Sequence, residues 1–148
     1  TLREVSEIVS AGADMIAMDA TYRPRPSNVE LELFVQSLRL HFPNQLLMAD
    51  ISTLGEAIEA ERIGFDCIST TLVGYTPYSK GKFIYNDDFK LLRDLVSTVK
   101  IPVIAEGNIL NPEMAKRCLE VGAHSVVVGG AITRPQQITK RFTEKMKA

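Results

Sequence analysis

The feature that most constrains this chain is a repeated change of hydrophobic period. Short apolar runs alternate with amphipathic stretches, and each run stops at polar residues or glycine. The runs are residues 15–18 ending at Asp19, 46–49 ending at Asp50, 67–68 ending at Ser69, Thr70 and Thr71, 102–105 ending at Glu106 and Gly107, and 126–128 ending at Gly129 and Gly130. Near-continuous apolar runs suit strands covered on both faces, as in a parallel sheet. Between them, apolar residues recur at helical spacing: Leu31, Phe34, Val35 and Leu38 fall at i, i+3, i+4 and i+7. The pattern predicts an α/β fold of five strands, each followed by a helix, with one more helix in front over residues 1–11.

Local signals set the expected boundaries. Thr1 with Glu4, Ser27 with Glu30 and Thr53 with Glu56 have capping-box spacing. Asn111-Pro112 reads as an N-cap followed by proline at the first helical position. Asp87 or Asp88 is expected to cap the fourth helix. Gly12, Gly64 and Gly122 recur at equivalent helix-to-strand junctions, where glycine supplies the left-handed stop. The last helix opens at Pro135, with Ile138 and Phe142 expected to face inward. Residues 72–86 form the longest connection, and loops of about 12 residues or more are commonly functional or mobile.

Two architectures carry five such units. One is a doubly wound sheet. The other is the last five units of a (β/α)8 TIM barrel, whose full length of about 250 residues puts five eighths near 156, against 148 here. Both fit a single domain over residues 1–148. In both, ligands bind where the strands end.

Composition narrows the function classes. A net charge of −1 excludes a strongly basic nucleic-acid binder, and no apolar run approaches a membrane span. Cys67 and Cys118 show no metal spacing and read as inert buried thiols of a cytoplasmic protein. His41 and His124 are far apart, and neither falls at a strand's carboxyl end, so no metal or other cofactor is expected.

The chemistry collects at the strand ends. Asp19, Asp50 and Glu106 arrive there on different strands, and carboxylates that converge in a cleft are acid/base candidates once each finds partners. Asp50 and Glu106 are the expected catalytic pair. Asp19 has a competing role, pairing with Arg23 or Arg25 to order the loop that follows it. Gly129 and Gly130 ahead of a proline-initiated helix form a candidate phosphate cradle, with Arg134 as a charged clamp and Gly107 and Asn108 close by. Tyr75 and Tyr78 either cover a ligand or pack the long loop. The candidate substrate contacts are Asp19, Thr70, Tyr75, Gly107 and Asn108.

Several of these segments resemble one family. ADMIAMDAT at 13–21, RPRP at 23–26, MADIST at 48–53, TTLVGYT at 70–76, IAEGNI at 104–109 and VGGAITRP at 128–135 are similar, in order, to N-acetylmannosamine-6-phosphate 2-epimerases. The resemblance implies a (β/α)8 barrel of which this chain is strands four to eight. It also implies interconversion of N-acetylmannosamine 6-phosphate and N-acetylglucosamine 6-phosphate in sialic acid breakdown. It carries the family's substrate-contacting aspartate onto Asp50, its catalytic glutamate onto Glu106, and its phosphate turn onto Gly129, Gly130 and Arg134. The family's proton-abstracting lysine, and an arginine and a glutamine that hold the substrate, belong to strands expected before Thr1, and Lys80 and Lys82 match no such motif. The fragment alone is therefore expected to be inactive, and its open sheet is expected to be covered by a longer parent chain or by association into a homo-oligomer. The partner expected is an amino-sugar phosphate, with no nucleic acid and no membrane. A metal-dependent sugar-phosphate epimerase and a non-catalytic sugar-phosphate-binding protein are the alternatives.

Overall fold

In the computed structural model of the chain, residues 1–147 are described, Ser27 without its side chain. The elements run in the order α1 (Leu2–Ser10), β1 (Met15–Asp19), a 3-10 turn (Pro26–Asn28), α2 (Leu31–His41), β2 (Leu46–Asp50), α3 (Leu54–Ile63), β3 (Cys67–Ser69), α4 (Asn86–Thr98), β4 (Val103–Glu106), α5 (Pro112–Glu120), β5 (Ser125–Val127), α6 (Gly130–Thr133) and α7 (Pro135–Met146). The five strands form one parallel sheet in the order β1-β2-β3-β4-β5. A doubly wound sheet reverses direction at a switch point. This sheet never reverses, which removes that alternative. Right-handed crossovers that always step the same way place the helices in one layer, and α2, α3 and α4 pack in sequence along it.

Strand alternation then divides the residues between two faces. Ile16, Leu47, Ala49, Ile68, Val103 and Ala105 are buried under the helices and meet Val35, Leu38, Ala57, Ala60, Leu92, Leu95 and Cys118 in the core. Met15, Ala17, Met48 and Ile104 point to the other face, and Asp19, Asp50, Ser69 and Glu106 stand on it at the carboxyl end of the strands.

The junction glycines behave as expected: Gly12, Gly64 and Gly122 all take positive φ. Thr53 and Glu56 form their capping box, and Asn111 Oδ1 accepts from the Met114 amide at 2.8 Å. Three local expectations differ. Helix α2 starts at Leu31 with Glu30 at its N-cap, because the 3-10 turn consumes the residues before it, so the box expected at Ser27 and Glu30 does not cap it. The Ser27 side chain lies outside the described residues. Helix α4 is capped at Tyr85 rather than Asp87 or Asp88. Asp87, Asp88 and Phe89 take left-handed φ of 52–58°, and the Asp88 carboxylate is taken up by Arg93 and Arg117. Phe142 is 67% exposed rather than inward, and α7 has no buried residue among those described.

The long connection after β3 is packed rather than loose. Val73, Thr76, Ser79 and Ile84 are buried, and the Ser79 hydroxyl accepts from the amides of Gly74 and Thr76.

Candidate active site

A cavity of about 450 Å³ opens at the carboxyl ends of β3, β4 and β5. Its wall includes Glu106, Gly107 and Asn108 from the β4 loop, Gly129, Gly130 and Arg134 from the β5 loop, and Thr71 and Tyr75 from the β3 loop. Seven of the expected site residues therefore meet in one place. Gly107 has φ of +91°, which turns the chain directly after the strand. Gly130 and Ala131 bring their amides to the cavity wall, and a Cβ at Gly130 would meet Arg134 and Gln137 at an ordinary contact distance of 3.4–3.5 Å. Those amides precede the first hydrogen bonds of α6, in which Ile132 and Thr133 donate to Gly129 O. Together with the Arg134 guanidinium they can take an anion.

Glu106 is held from both sides. Thr70, fully buried, clamps the Glu106 main chain: its hydroxyl donates to Glu106 O at 2.8 Å and accepts from Glu106 N at 2.9 Å. Thr70, expected among the substrate contacts, does not line the cavity. Its side chain is on the helix side of the sheet, and Thr71 is the threonine that reaches the cavity. Thr71 Oγ1 donates to Asp50 Oδ1 at 2.7 Å and meets Ser69 Oγ at 2.8 Å, while Ser69 Oγ donates to Glu106 Oε2 at 3.1 Å. Asp50 stands one link back from the cavity wall through this chain. Burial pushes its carboxyl up to about 6. The Thr71 hydrogen bond works against that shift, and the charges of Glu106 and Asp19 add to it. A carboxyl in that range can gain and lose a proton near neutrality.

Asp19 takes the structural alternative. It accepts from the Thr21 amide and hydroxyl at 2.8 and 2.6 Å and pairs with Arg23 at 2.5 Å, while Arg25 donates to its main-chain oxygen. Against the opposing effect of burial, the Thr21 hydrogen bonds and the Arg23 charge hold its carboxyl below the usual carboxylate range. It is outside the cavity wall. Tyr75 lines the cavity with its ring 62% exposed. Tyr78 instead donates to the buried Glu56.

Several contributors were not picked out from the sequence. Ser69 and Thr71 share a strand face with Cys67 by alternation, a signal present in the residues. Gln137 and Arg141 complete the wall from α7, and with Arg134 they fall at helical spacing on one face. Arg141 also donates to Leu110 O at 3.1 Å. Lys80 and Lys82 are outside this wall. Among the described residues no three His, Cys, Asp or Glu side chains converge to hold a metal ion, and no helix is long and apolar enough to cross a membrane.

The family described as "Putative N-acetylmannosamine-6-phosphate epimerase" matches residues 1–148. A relative from Enterobacter sp. (strain 638) is 55% identical over 148 residues, which are 100% of this chain and 63% of that protein. One from Shouchella clausii (strain KSM-K16) is 58% identical over 147 residues, 99% of this chain and 64% of that protein. Both are called "Putative N-acetylmannosamine-6-phosphate 2-epimerase". The chain thus spans less than two thirds of the length of these relatives. A solved structure of the N-acetylmannosamine-6-phosphate 2-epimerase from Clostridium perfringens is similar with a TM-score of 0.86 and 58% identity, covering 97% of this chain and 61% of that one. Matched along its whole length, the chain belongs to the N-acetylmannosamine-6-phosphate epimerase family.

Proposed function

We propose that this chain supplies the phosphate cradle and the carboxylate pair of an isomerase that interconverts N-acetylmannosamine 6-phosphate and N-acetylglucosamine 6-phosphate. The observation that carries the reading is the single cavity in which Glu106 faces the Gly129–Gly130 turn and Arg134. The phosphate sits on the Gly130 and Ala131 amides and the Arg134 guanidinium. Gly107, Asn108 and Tyr75 border the sugar, and the C2 carbon is directed toward Glu106 and Asp50.

Epimerisation at C2, beside the C1 carbonyl of the open-chain sugar, requires removal of the C2 proton and its return to the other face. Charge then builds on the enolate oxygen and must be met by hydrogen-bond donors. Glu106 handles a proton at the reacting carbon, and Asp50, with a carboxyl near 6, can serve as its acid counterpart. The principal C2 base, a lysine by family resemblance, belongs to the part of the relatives that this chain does not span, so the chain alone is inactive. We further propose that the five βα units are consecutive units of a (β/α)8 barrel. The unreversed strand order supports this, and so does the similarity to the Clostridium perfringens epimerase. A longer chain or a homo-oligomer then covers the free sheet edges. The two unpaired, buried cysteines fit a cytoplasmic setting.

The test is isotope incorporation. Full-length protein incubated with N-acetylmannosamine 6-phosphate in D2O should yield product carrying deuterium at C2, and Glu106→Gln should slow the reaction by roughly 10²–10⁴-fold with KM little changed. Absence of turnover in the full-length native protein would sink the assignment.

A further inference from the structure

Two hydroxyl groups fill the space between the site carboxylates, and their protons can be counted. The links are Asp50 Oδ1 to Thr71 Oγ1 at 2.7 Å, Thr71 Oγ1 to Ser69 Oγ at 2.8 Å, and Ser69 Oγ to Glu106 Oε2 at 3.1 Å. A hydroxyl carries one proton and an ionised carboxylate none. With both carboxylates charged, two protons serve three links, and Ser69 and Thr71 face each other lone pair to lone pair. One additional proton completes the chain in either direction. Placed on Asp50, it is donated to Thr71, whose own proton goes to Ser69, whose proton goes to Glu106. Placed on Glu106, every bond runs the other way.

We propose that Thr71 and Ser69 form a proton relay, through which Asp50 and Glu106 bind one proton between them and exchange it. The step balances without any other reactant. The O–H bond of Asp50 breaks as Thr71 takes its proton, Thr71 gives its own to Ser69, and Ser69 gives its own to Glu106. One proton moves to Glu106 and one negative charge moves to Asp50. Both hydroxyls keep a proton throughout and act by positioning and conducting, not by touching substrate.

The surroundings favour such a shared proton. Ser69 is fully buried at 0% exposure, so solvent does not bridge the carboxylates in its place. Other ionisable groups near the pair come from each packed element. Asp19 lies across from Asp50 in register, but its charge is met by Arg23, with Arg25 on its main-chain oxygen. Cys67 precedes Ser69 on the same face of β3, and burial together with the charges of Asp66 and Asp50 pushes its thiol up, so it stays neutral. Tyr75, Arg134 and Arg141 border Glu106 across the cavity, and arginine does not give up a proton. Among the groups of this chain, the additional proton therefore has the two carboxyls as its seats. Burial, against the pull of the Thr71 hydrogen bond and helped by the Glu106 charge, makes Asp50 the end that holds it up to about pH 6. In turnover the relay lets a proton taken up at Glu106 pass to Asp50 and return without passing through solvent.

The inference rests on the proton-handling roles given to Asp50 and Glu106 above, and its test needs no turnover. Carbon-13 carboxyl signals of Asp50 and Glu106 are followed by NMR against pH in the full-length protein. If the relay shares one proton between the two carboxyls, both signals in the native protein should move in the same two steps. In Ser69→Ala and in the near-isosteric Thr71→Val each carboxyl should show one step of its own, while Thr71→Ser should keep the shared pattern. If Ser69→Ala does not fold, Thr71→Val carries the same test. Independent single steps in the native protein would overturn the relay. Shared steps that persist unchanged in Thr71→Val would also overturn it, since charge alone would then couple the two groups.

Discussion

Asp50 sits where burial and two neighbouring carboxylates work against its charge. The cost follows from the rise of its carboxyl. The native carboxyl protonates at about 6, whereas the ordinary value is 3.8. Between those values the folded chain holds a proton that the unfolded chain has released, so stability falls as pH rises through that window. Above it the full penalty applies, about 2–3 kcal/mol. Asp50→Asn keeps an acceptor for Thr71 and removes the charge. It should therefore raise Tm at pH 7–8, with the gain shrinking toward zero near pH 4, while removing catalytic competence from the full-length protein. Thermal unfolding of both forms across pH 4–8 checks this, and a pH-independent difference would count against it. Arg134 makes a second prediction of this kind. If its guanidinium clamps phosphate, Arg134→Ala should weaken sugar-phosphate binding on the order of 10–100-fold, the worth of a lost charge-assisted hydrogen bond, as read by calorimetric titration.

Helix α3 joins the loops around the site. Glu56, in its first turn, is fully buried. Its carboxylate accepts from Ser52 N at 2.7 Å, Ser52 Oγ at 2.8 Å, Thr53 N at 2.9 Å and Tyr22 N at 3.0 Å, and also from the Tyr78 hydroxyl. Tyr22 follows β1, Ser52 and Thr53 follow β2, and Tyr78 belongs to the long connection after β3. One side chain thus ties three βα loops together at the end of the sheet that carries the site. Read along the chain, Thr53 and Glu56 announce only a capping box. The longer role needs Tyr22, 34 residues away, and Tyr78, 22 residues away. Glu56→Ala would strand several buried donors and should cost roughly 3–5 kcal/mol. Tyr78→Phe loses one bond and should cost about 1 kcal/mol. Denaturant midpoints at constant m-value measure both, and equal effects would contradict the hub.

The sheet as a whole is open. β1 and β5 are its two ends, with β1 paired only to β2 and β5 only to β4 among the described residues. Met15, Leu46 and Val127, on or beside the face away from the helices, are each about 40% exposed. Unpaired edges next to apolar surface template further association. The 148-residue chain taken by itself should therefore self-associate at micromolar concentration in sedimentation velocity. Supplying the part of the relatives' length that this chain does not span should convert it to a single defined species. A monodisperse monomer with sharp two-state unfolding for the isolated chain would refute this.

The five strands, the helices that follow them apart from the short α6, their order and the strand-end location of the polar residues were legible in the residues alone, because hydrophobic period, caps and glycine stops are set by covalent geometry over a few residues. Glu106, Gly107, Asn108, Gly129, Gly130, Arg134 and Tyr75 could be named on that basis, and the structure brings these seven to one cavity. The choice between Thr70 and Thr71 could not be made so easily. A strand's two faces alternate, so a single residue of register decides whether a hydroxyl meets the helices or the cleft. Nor could the spacing of Asp50 and Glu106 show that Thr71 and Ser69 join them. Those contacts span 21 and 37 residues of chain and exist only once β2, β3 and β4 lie side by side. Local chemistry wrote the βα units and the cradle into the chain. The meeting of the two carboxylates, the diversion of Asp19 to Arg23 and the burial that raises the Asp50 carboxyl are products of long-range packing, because desolvation and hydrogen-bond geometry belong to the assembled sheet and to no single segment of it.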